Sequence, residues 1–301
     1  MKKLLILLCL FSLLAGCGAK GADTDTPSMP SLEESPQPAP QTPKTEIPAD
    51  EPSFTYQVEL SKEKETMVAD TGERLASCSF QLPVLRAVTK EGTSLSEATT
   101  PEEELALASV DTFNLAFAQW NAAESLKDIG EVAQSDLAYF QEQGMEWAGG
   151  YSEDLQCTVY QTDHLISIVG THYSYTGGAH PNTSFLGWNF DLTTGTFISV
   201  PSLAEDPVAF QEAVTAAIIS QLESVAAEYD LPPEELFWAN YEEIAADWSS
   251  YAVSFHPEGM TVTFSAYDMA PYAAGPQIFD FTYDWLETYL GVEYRSILDP
   301  A

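Results

Sequence analysis

The sequence has little positive charge. It contains 11 lysine and arginine residues against 46 aspartates and glutamates, which gives a formal net charge of −35 at pH 7. A body with this charge is repelled by nucleic-acid phosphates and by anionic lipid headgroups, so the composition excludes nucleic acid as a partner. Two interpretations stay open: a field that attracts cationic partners, or a surface that is merely well solvated.

Familiar catalytic signatures are also missing. The sequence has no Gly-x-Ser-x-Gly elbow, no P-loop and no His-Glu-x-x-His motif. Its acidic residues are too numerous for a catalytic carboxylate pair to be distinguished among them. His164, His172 and His180 recur every eight residues, but no acidic residue stands at a supporting position for a metal. We therefore expect a protein that is not an enzyme and has no metal or cofactor.

Long apolar runs are absent beyond the N-terminus. Residues 4–14 are almost wholly apolar and follow two lysines, and this run is too short to span a membrane. It is typical of a secretory signal peptide, and the Leu-Ala-Gly-Cys sequence that ends at Cys17 resembles the lipobox of bacterial lipoproteins. The resemblance implies a signal peptide at 1–16, lipid attachment at Cys17 and anchoring to the extracytoplasmic face of the cell membrane. Cleavage there brings the net charge to −37.

Large apolar residues are scarce in the segment that follows. Residues 17–52 contain eight prolines among threonine, serine, glutamine and aspartate. This composition cannot bury a core and is typical of an extended, disordered spacer. We predict a lipidated tether over 17–52 that holds a folded body away from the membrane.

Cysteines are few. Cleavage removes Cys9 and lipidation uses Cys17, so the folded body keeps Cys78 and Cys157. Each alternates with apolar neighbours at strand spacing, which directs both side chains inward. An exported protein can form a disulfide from such a pair, and two separately buried thiols fit the pattern equally well.

The folded region alternates between strand and helix patterns. Strand-like alternation precedes Pro101, whose run of following glutamates marks a helix start, and Asp206 before Pro207 marks another. Thr193-Thr194-Gly195 reads as a hairpin turn, and helical spacing of apolar residues recurs over 237–248. Hairpins separated by helices predict an α+β fold, an antiparallel β-sheet with packed α-helices.

Two segments carry a family resemblance. Residues 173–182, Tyr-Ser-Tyr-Thr-Gly-Gly-Ala-His-Pro-Asn, and residues 267–276, Tyr-Asp-Met-Ala-Pro-Tyr-Ala-Ala-Gly-Pro, resemble segments of the RsiV-like extracytoplasmic domain family. That family includes the outer domain of a lysozyme-sensing anti-sigma factor and a non-catalytic domain of a peptidoglycan deacetylase. The resemblance implies two sequential subdomains, a deacetylase-associated type at 53–182 and an RsiV-like type at 183–301.

The resemblance also implies binding. Aromatic side chains on loops rich in glycine and proline are typical of recognition surfaces. The residues that we predict to bind a ligand are Tyr173, Tyr175, Gly177, Gly178, His180, Tyr267 and Tyr272. The chain departs from both relatives, because it has a lipobox in place of a cytoplasmic segment and lacks the Asp-Asp and His-x-x-x-His motifs of the deacetylase.

These observations favour a surface-anchored, non-catalytic binding lipoprotein. Through the resemblance, its expected partner is a cationic extracellular protein such as lysozyme. Two alternatives stay open: a module that binds peptidoglycan or assists its processing, and a structural lipoprotein of the envelope.

Overall fold

A computed structural model of the chain describes residues 53–147 and 149–292. The predicted signal peptide, the lipidation site at Cys17 and the tether lie outside the described residues. None of the described helices is both long enough and apolar enough to cross a membrane.

The described residues form nine strands and six α-helices. The strands are β1 (Phe54–Val68), β2 (Arg74–Thr89), β3 (Tyr151–Gln161), β4 (Leu165–Tyr175), β5 (Asn182–Asp191), β6 (Thr196–Phe197), β7 (Ala252–His256), β8 (Gly259–Phe264) and β9 (Gln277–Thr282). The helices are α1 (Pro101–Phe117), α2 (Ala122–Glu142), α3 (Pro207–Glu228), α4 (Pro233–Leu236), α5 (Tyr241–Ala246) and α6 (Tyr283–Leu286). The predicted α+β fold is confirmed.

Strands β1 to β6 form one sheet in chain order. Its neighbouring strands are antiparallel except for β2 and β3, which run parallel. The exception to the predicted antiparallel sheet arises because α1 and α2 connect these two strands. A crossover of that length returns the chain to the same end of the sheet.

Helices α1 and α2 cover one face of this large sheet. Phe113 of α1 and Leu126 of α2 pack in one apolar core with Phe80, Leu155 and Ile166 of the sheet. The start of α1 follows the sequence signal: the Thr100 side chain accepts a hydrogen bond from the Glu103 backbone N–H, and Pro101 occupies the first turn.

Strands β7, β8 and β9 form a small antiparallel sheet. One of its faces packs against α3, whose buried stripe Phe210, Val214, Ile218 and Leu222 matches the predicted spacing. The single helix expected over 237–248 is wrong. The chain instead makes α4 and α5, because Phe237 is extended and breaks the run between them.

The small sheet meets the large sheet through the edge strand β7. The buried Ser167 hydroxyl donates to Oδ1 of Asn189 at 2.7 Å and accepts from the Phe255 backbone N–H at 2.7 Å. The Asn189 amide donates to the Val253 carbonyl at 2.9 Å. On this side β7 has no neighbouring strand, and the two side chains supply the hydrogen bonds that its backbone N–H and carbonyl groups would otherwise lack. A Cβ on Gly187 would lie 2.6 Å from the Val253 oxygen, and glycine therefore permits this close approach.

The boundary between sheets differs from the predicted subdomain boundary. The expected division at 182/183 falls at the start of β5, which pairs with β4 over its whole length. The large sheet therefore continues to Phe197, and the change to the small sheet comes after α3, α4 and α5. Strand β5 stays with the large sheet because its apolar residues, Phe190 among them, complete the core under α1 and α2.

Cys78 and Cys157 are free and buried. Of the two alternatives left open by the sequence, a disulfide or two separately buried thiols, the structure therefore has the separate thiols. Cys78 lies opposite Glu153 in the parallel pair of β2 and β3, which places Cys157 four residues further along β3. That offset is about 13 Å along the strand, whereas a disulfide requires Cα atoms less than about 7 Å apart. Burial raises the pKa of Cys78 to about 12 and that of Cys157 to about 11.

We expect Asn189→Ala to lower the free energy of unfolding by about 2–4 kcal/mol, because the Val253 carbonyl and the Ser167 hydroxyl each lose a buried partner. Urea unfolding measures the change. The control is Asn182→Ala, an exposed residue of the same strand, which should alter stability by less than about 0.5 kcal/mol. Equal unfolding midpoints for the two variants would contradict the role of Asn189.

The two buried thiols should resist thiol reagents until the protein unfolds. In a chain carrying Cys9→Ser and Cys17→Ser, we expect negligible reaction with an aromatic disulfide reagent at pH 8, because burial disfavours the reactive thiolate. Guanidinium should then expose two reactive thiols per chain, with or without prior reduction. A count of zero in the unreduced, unfolded chain would reveal a disulfide.

Candidate binding site

The loop between β4 and β5 is held by its own contacts. The Tyr175 hydroxyl donates to the Gly178 carbonyl at 3.1 Å. Gly177 and Gly178 both have a φ of +96°, a backbone conformation that residues other than glycine rarely adopt. In addition, a Cβ on Gly177 would lie 3.1 Å from the Tyr151 hydroxyl. The loop therefore presents His180 from a defined backbone.

A second loop, residues 265–276 after β8, is anchored at its start. The Ser265 hydroxyl accepts from the backbone N–H of Phe185 in β5 at 2.9 Å. The Trp238 indole N–H donates to the Tyr267 carbonyl at 2.9 Å, and the Trp238 backbone N–H donates to the Met269 carbonyl at 2.9 Å. These bonds fix the loop beside the β4–β5 loop.

His180, Tyr267 and Tyr272 meet where the two loops touch, and we call these three residues the aromatic cluster. The rings of His180 and Tyr272 stack with centroids 3.7 Å apart and planes 10° from parallel. The centroids of Tyr267 and Tyr272 are 5.4 Å apart. Tyr267 is 48% exposed and His180 is exposed, whereas Tyr272 is half-buried, so the cluster offers mainly the rings of Tyr267 and His180 to solvent.

Hydrogen bonds fix the tautomer of the neutral His180 ring. Nδ1 lies 3.0 Å from the Pro181 carbonyl oxygen, which only accepts, so Nδ1 carries the proton. Nε2 is then an acceptor and receives the Tyr267 hydroxyl at 3.0 Å. The ring is therefore held at both nitrogens and stacked on one face.

Backbone strain accompanies this arrangement. Tyr267 has a φ of +74°, which is an outlier for a bulky side chain. Such strain costs of order 1–3 kcal/mol and persists where surrounding contacts fix the conformation. Here the Trp238 indole supplies that restraint through the Tyr267 carbonyl.

The structure separates the remaining predicted ligand residues from the aromatic cluster. Tyr175, Gly177 and Gly178 form the base of the β4–β5 loop and hold its shape. Tyr173 points instead over the face of the large sheet opposite α1 and α2, where it lines a groove. The residues predicted to bind a ligand therefore fall into three places: three residues form the aromatic cluster, three support the β4–β5 loop, and one lines the groove.

The three histidines at eight-residue spacing do not come together. His172 bonds Glu153 at 2.9 Å and contacts Trp120 under the helices, whereas His180 lies in the aromatic cluster and His164 precedes β4. The hydrogen bond from His172 lowers the pKa of Glu153. Within residues 53–147 and 149–292, no group of three His, Cys, Asp or Glu side chains could hold a metal ion.

A groove of about 610 Å³ lies on the sheet face opposite α1 and α2, and we call it the polar groove. It is lined by eight residues of β2, β3, β4 and β5: Arg74, Ser77, Ser152, Asp154, Gln156, Thr171, Tyr173 and Thr183. Partial burial raises the pKa of Asp154, although nearby Lys64 and the Ser79 hydroxyl act in the opposite direction.

Sequence reasoning did not identify the polar groove or Trp238. The available signal was that Ser152, Asp154 and Gln156 share one face of β3, whereas Leu155 and Cys157 lie on the other. Such alternation ordinarily marks a solvated sheet face. Trp238 lies about 30 residues before the loop it supports, and its role depends on tertiary contact alone.

A solved structure shares this fold. A member of the DUF3298 family (a domain family of unknown function) from Bacteroides fragilis is similar with a TM-score of 0.58 and 15% identity, covering 80% of this chain and 96% of that chain. A DUF3298 family protein from Pseudomonas aeruginosa has a TM-score of 0.43 and 15% identity over 83% of this chain and 99% of that chain. The first likeness shows that this chain has the fold of the Bacteroides protein. No family model and no curated protein matches the sequence.

We expect nitrogen NMR of the imidazole rings to show the Nδ1–H tautomer for neutral His180, whereas free histidine favours the other tautomer. Tyr267→Phe removes the donor to Nε2 and should shift the ring toward a mixture of tautomers. His164, which is not part of the aromatic cluster, serves as the control and should not change. An Nε2–H pattern for His180 in the unaltered chain would contradict the geometry.

Proposed function

We propose that this protein is a non-catalytic binding lipoprotein that captures a cationic extracellular protein through the aromatic cluster. The observation that carries the proposal is the aromatic cluster itself, in which His180 stacks on Tyr272 and bonds Tyr267. Its rings come from two loops that are 87 residues apart in the sequence where Tyr267 bonds His180. Tyrosine rings supply contact area at low entropic cost, and anchored loops reduce the cost of ordering on binding.

Charge supports a cationic partner. The described residues include 37 acidic side chains and six basic ones. A field of this sign raises the rate at which a cationic protein is encountered, and exposed tyrosine faces then attract its lysine or arginine side chains. Lysozyme is the named candidate because the two loops are the segments that resemble the RsiV-like family.

The proposed location rests on the N-terminal sequence. Lipid attachment at Cys17 would hold the protein at the membrane, and the proline-rich segment 17–52 would let the binding surface reach outward. An anchored protein with a long spacer is well suited to meeting soluble extracellular partners.

Binding of hen lysozyme to the purified chain, measured by calorimetry at 20 mM and 300 mM salt, tests the proposal. We expect binding at low salt and at least about tenfold weaker binding at high salt, because screening shortens the range of the acidic field. No binding at low salt would exclude lysozyme. Affinity that did not depend on salt would contradict the electrostatic argument.

Tyr272→Ala locates the surface. Loss of the ring that stacks on His180 should weaken binding by about 30-fold or more, the size of effect seen for central aromatic contacts. Tyr139→Ala on α2 is the control, because Tyr139 is an exposed tyrosine outside the aromatic cluster. Equal effects of the two variants would place the contact elsewhere.

A further inference from the structure

We propose that the polar groove is a second binding site, separate from the aromatic cluster, and that it takes an uncharged saccharide chain. Its floor carries hydroxyl, amide and carboxylate side chains together with one tyrosine ring. These groups supply donors and acceptors for the vicinal hydroxyls of sugars, and a ring face for the apolar side of a sugar.

The floor is ordered by strand register. Ser79, Asp154, Tyr173 and Thr183 lie directly opposite one another across β2, β3, β4 and β5. Gln81, Gln156 and Thr171 form the next row on the same face. The rows therefore offer polar groups at the regular strand spacing of about 4.8 Å.

The sheet face extends beyond the polar groove. It continues past Gln156 to Thr158 and Tyr160, where a second, mainly apolar hollow of about 450 Å³ is lined by Phe185, Phe255 and Ile278 among others. From Ser152 to Gln156 the floor of the polar groove itself runs for about 13 Å along β3, which is the length of about two or three sugar rings.

Local charge favours an uncharged ligand. Of the six basic residues in the described chain, Arg74 lines the groove, and Lys62 and Lys64 lie on β1 in register with the polar rows. Arg74 and Asp154 cancel among the lining residues, so the lining is formally neutral within a strongly acidic body, and the two lysines add positive charge on the β1 side. A polyanion would still meet the repulsive field of the whole protein.

Most of the floor offers no strand edge to a peptide. The rows lie mainly on β2, β3 and β4, which are hydrogen-bonded to a strand on both sides there, whereas Thr183 lies on β5, whose pairing with β6 is confined to Phe190 and Asp191. An extended peptide binds chiefly through an open edge and apolar side-chain pockets. A sugar chain, which bonds through its hydroxyls, needs neither.

Titration of the full chain with the hexamers of glucose and of N-acetylglucosamine, followed by calorimetry and amide NMR, tests the proposal. We expect saturable binding of at least one hexamer, with shifts concentrated in β3 and β4. Preference for the acetylated hexamer would indicate a wall-type glycan, and preference for glucose would indicate a secreted polysaccharide. Absence of binding, shifts confined to the aromatic cluster, or binding of neutral peptides in place of sugars would overturn it.

Variants separate the two sites. Tyr173→Ala and Asp154→Asn should each weaken hexamer binding by about tenfold, because each loses a ring face or a charged acceptor. Both should bind lysozyme as the unaltered chain does, so failure of the lysozyme proposal leaves this one testable. Tyr139→Ala is again the control. Hexamer affinity unchanged in both groove variants, with their NMR spectra showing a folded chain, would also overturn the proposal.

Discussion

The hydrogen bonds from Ser167 and Asn189 to the edge of β7 are the constraint on which the rest of the structure depends. They attach the small sheet to the face of the large sheet, and because β8 follows β7 through a tight turn, they also determine where the chain after Phe264 emerges. Ser265 then bonds Phe185, and the loop that carries Tyr267 and Tyr272 is brought beside the loop that carries His180. Two buried polar side chains thus decide whether residues almost 90 positions apart can form one surface.

Much of this fold follows from local patterns in the sequence. Alternation identified the strands, and Pro101 and Asp206 marked helix starts that the structure confirms, because caps and periodicity are local properties. The parallel pairing of β2 with β3 was not predictable in this way, since alternation reports which face is buried and not which strand lies alongside. The break at Phe237 was missed for a related reason: the apolar spacing continues across a residue whose backbone is extended.

The two sites were predictable to different degrees. The residues of the aromatic cluster came from two segments singled out by resemblance, but nothing in their spacing showed that Tyr173 would separate from Tyr267 and Tyr272. The polar groove could not be found from sequence, because Ser152 and Asp154 have the pattern of any solvated strand face. They become part of a groove because strand pairing brings them beside Ser77, Thr171 and Tyr173 of the neighbouring strands, and that is a tertiary fact.

The protein as a whole is strongly acidic, whereas the lining of the polar groove carries one basic and one acidic side chain, Arg74 and Asp154. At physiological ionic strength exposed charges act over about 8 Å, so the summed field governs encounters at the outer surface, whereas individual side chains govern contacts within the groove. Lys62 and Lys64 have a further effect, because they lie on β1, the edge strand of the large sheet, where charged side chains discourage pairing with another chain. The two lysines therefore protect this edge, and Lys64 also offsets the charge of Asp154 on the neighbouring part of the same sheet face.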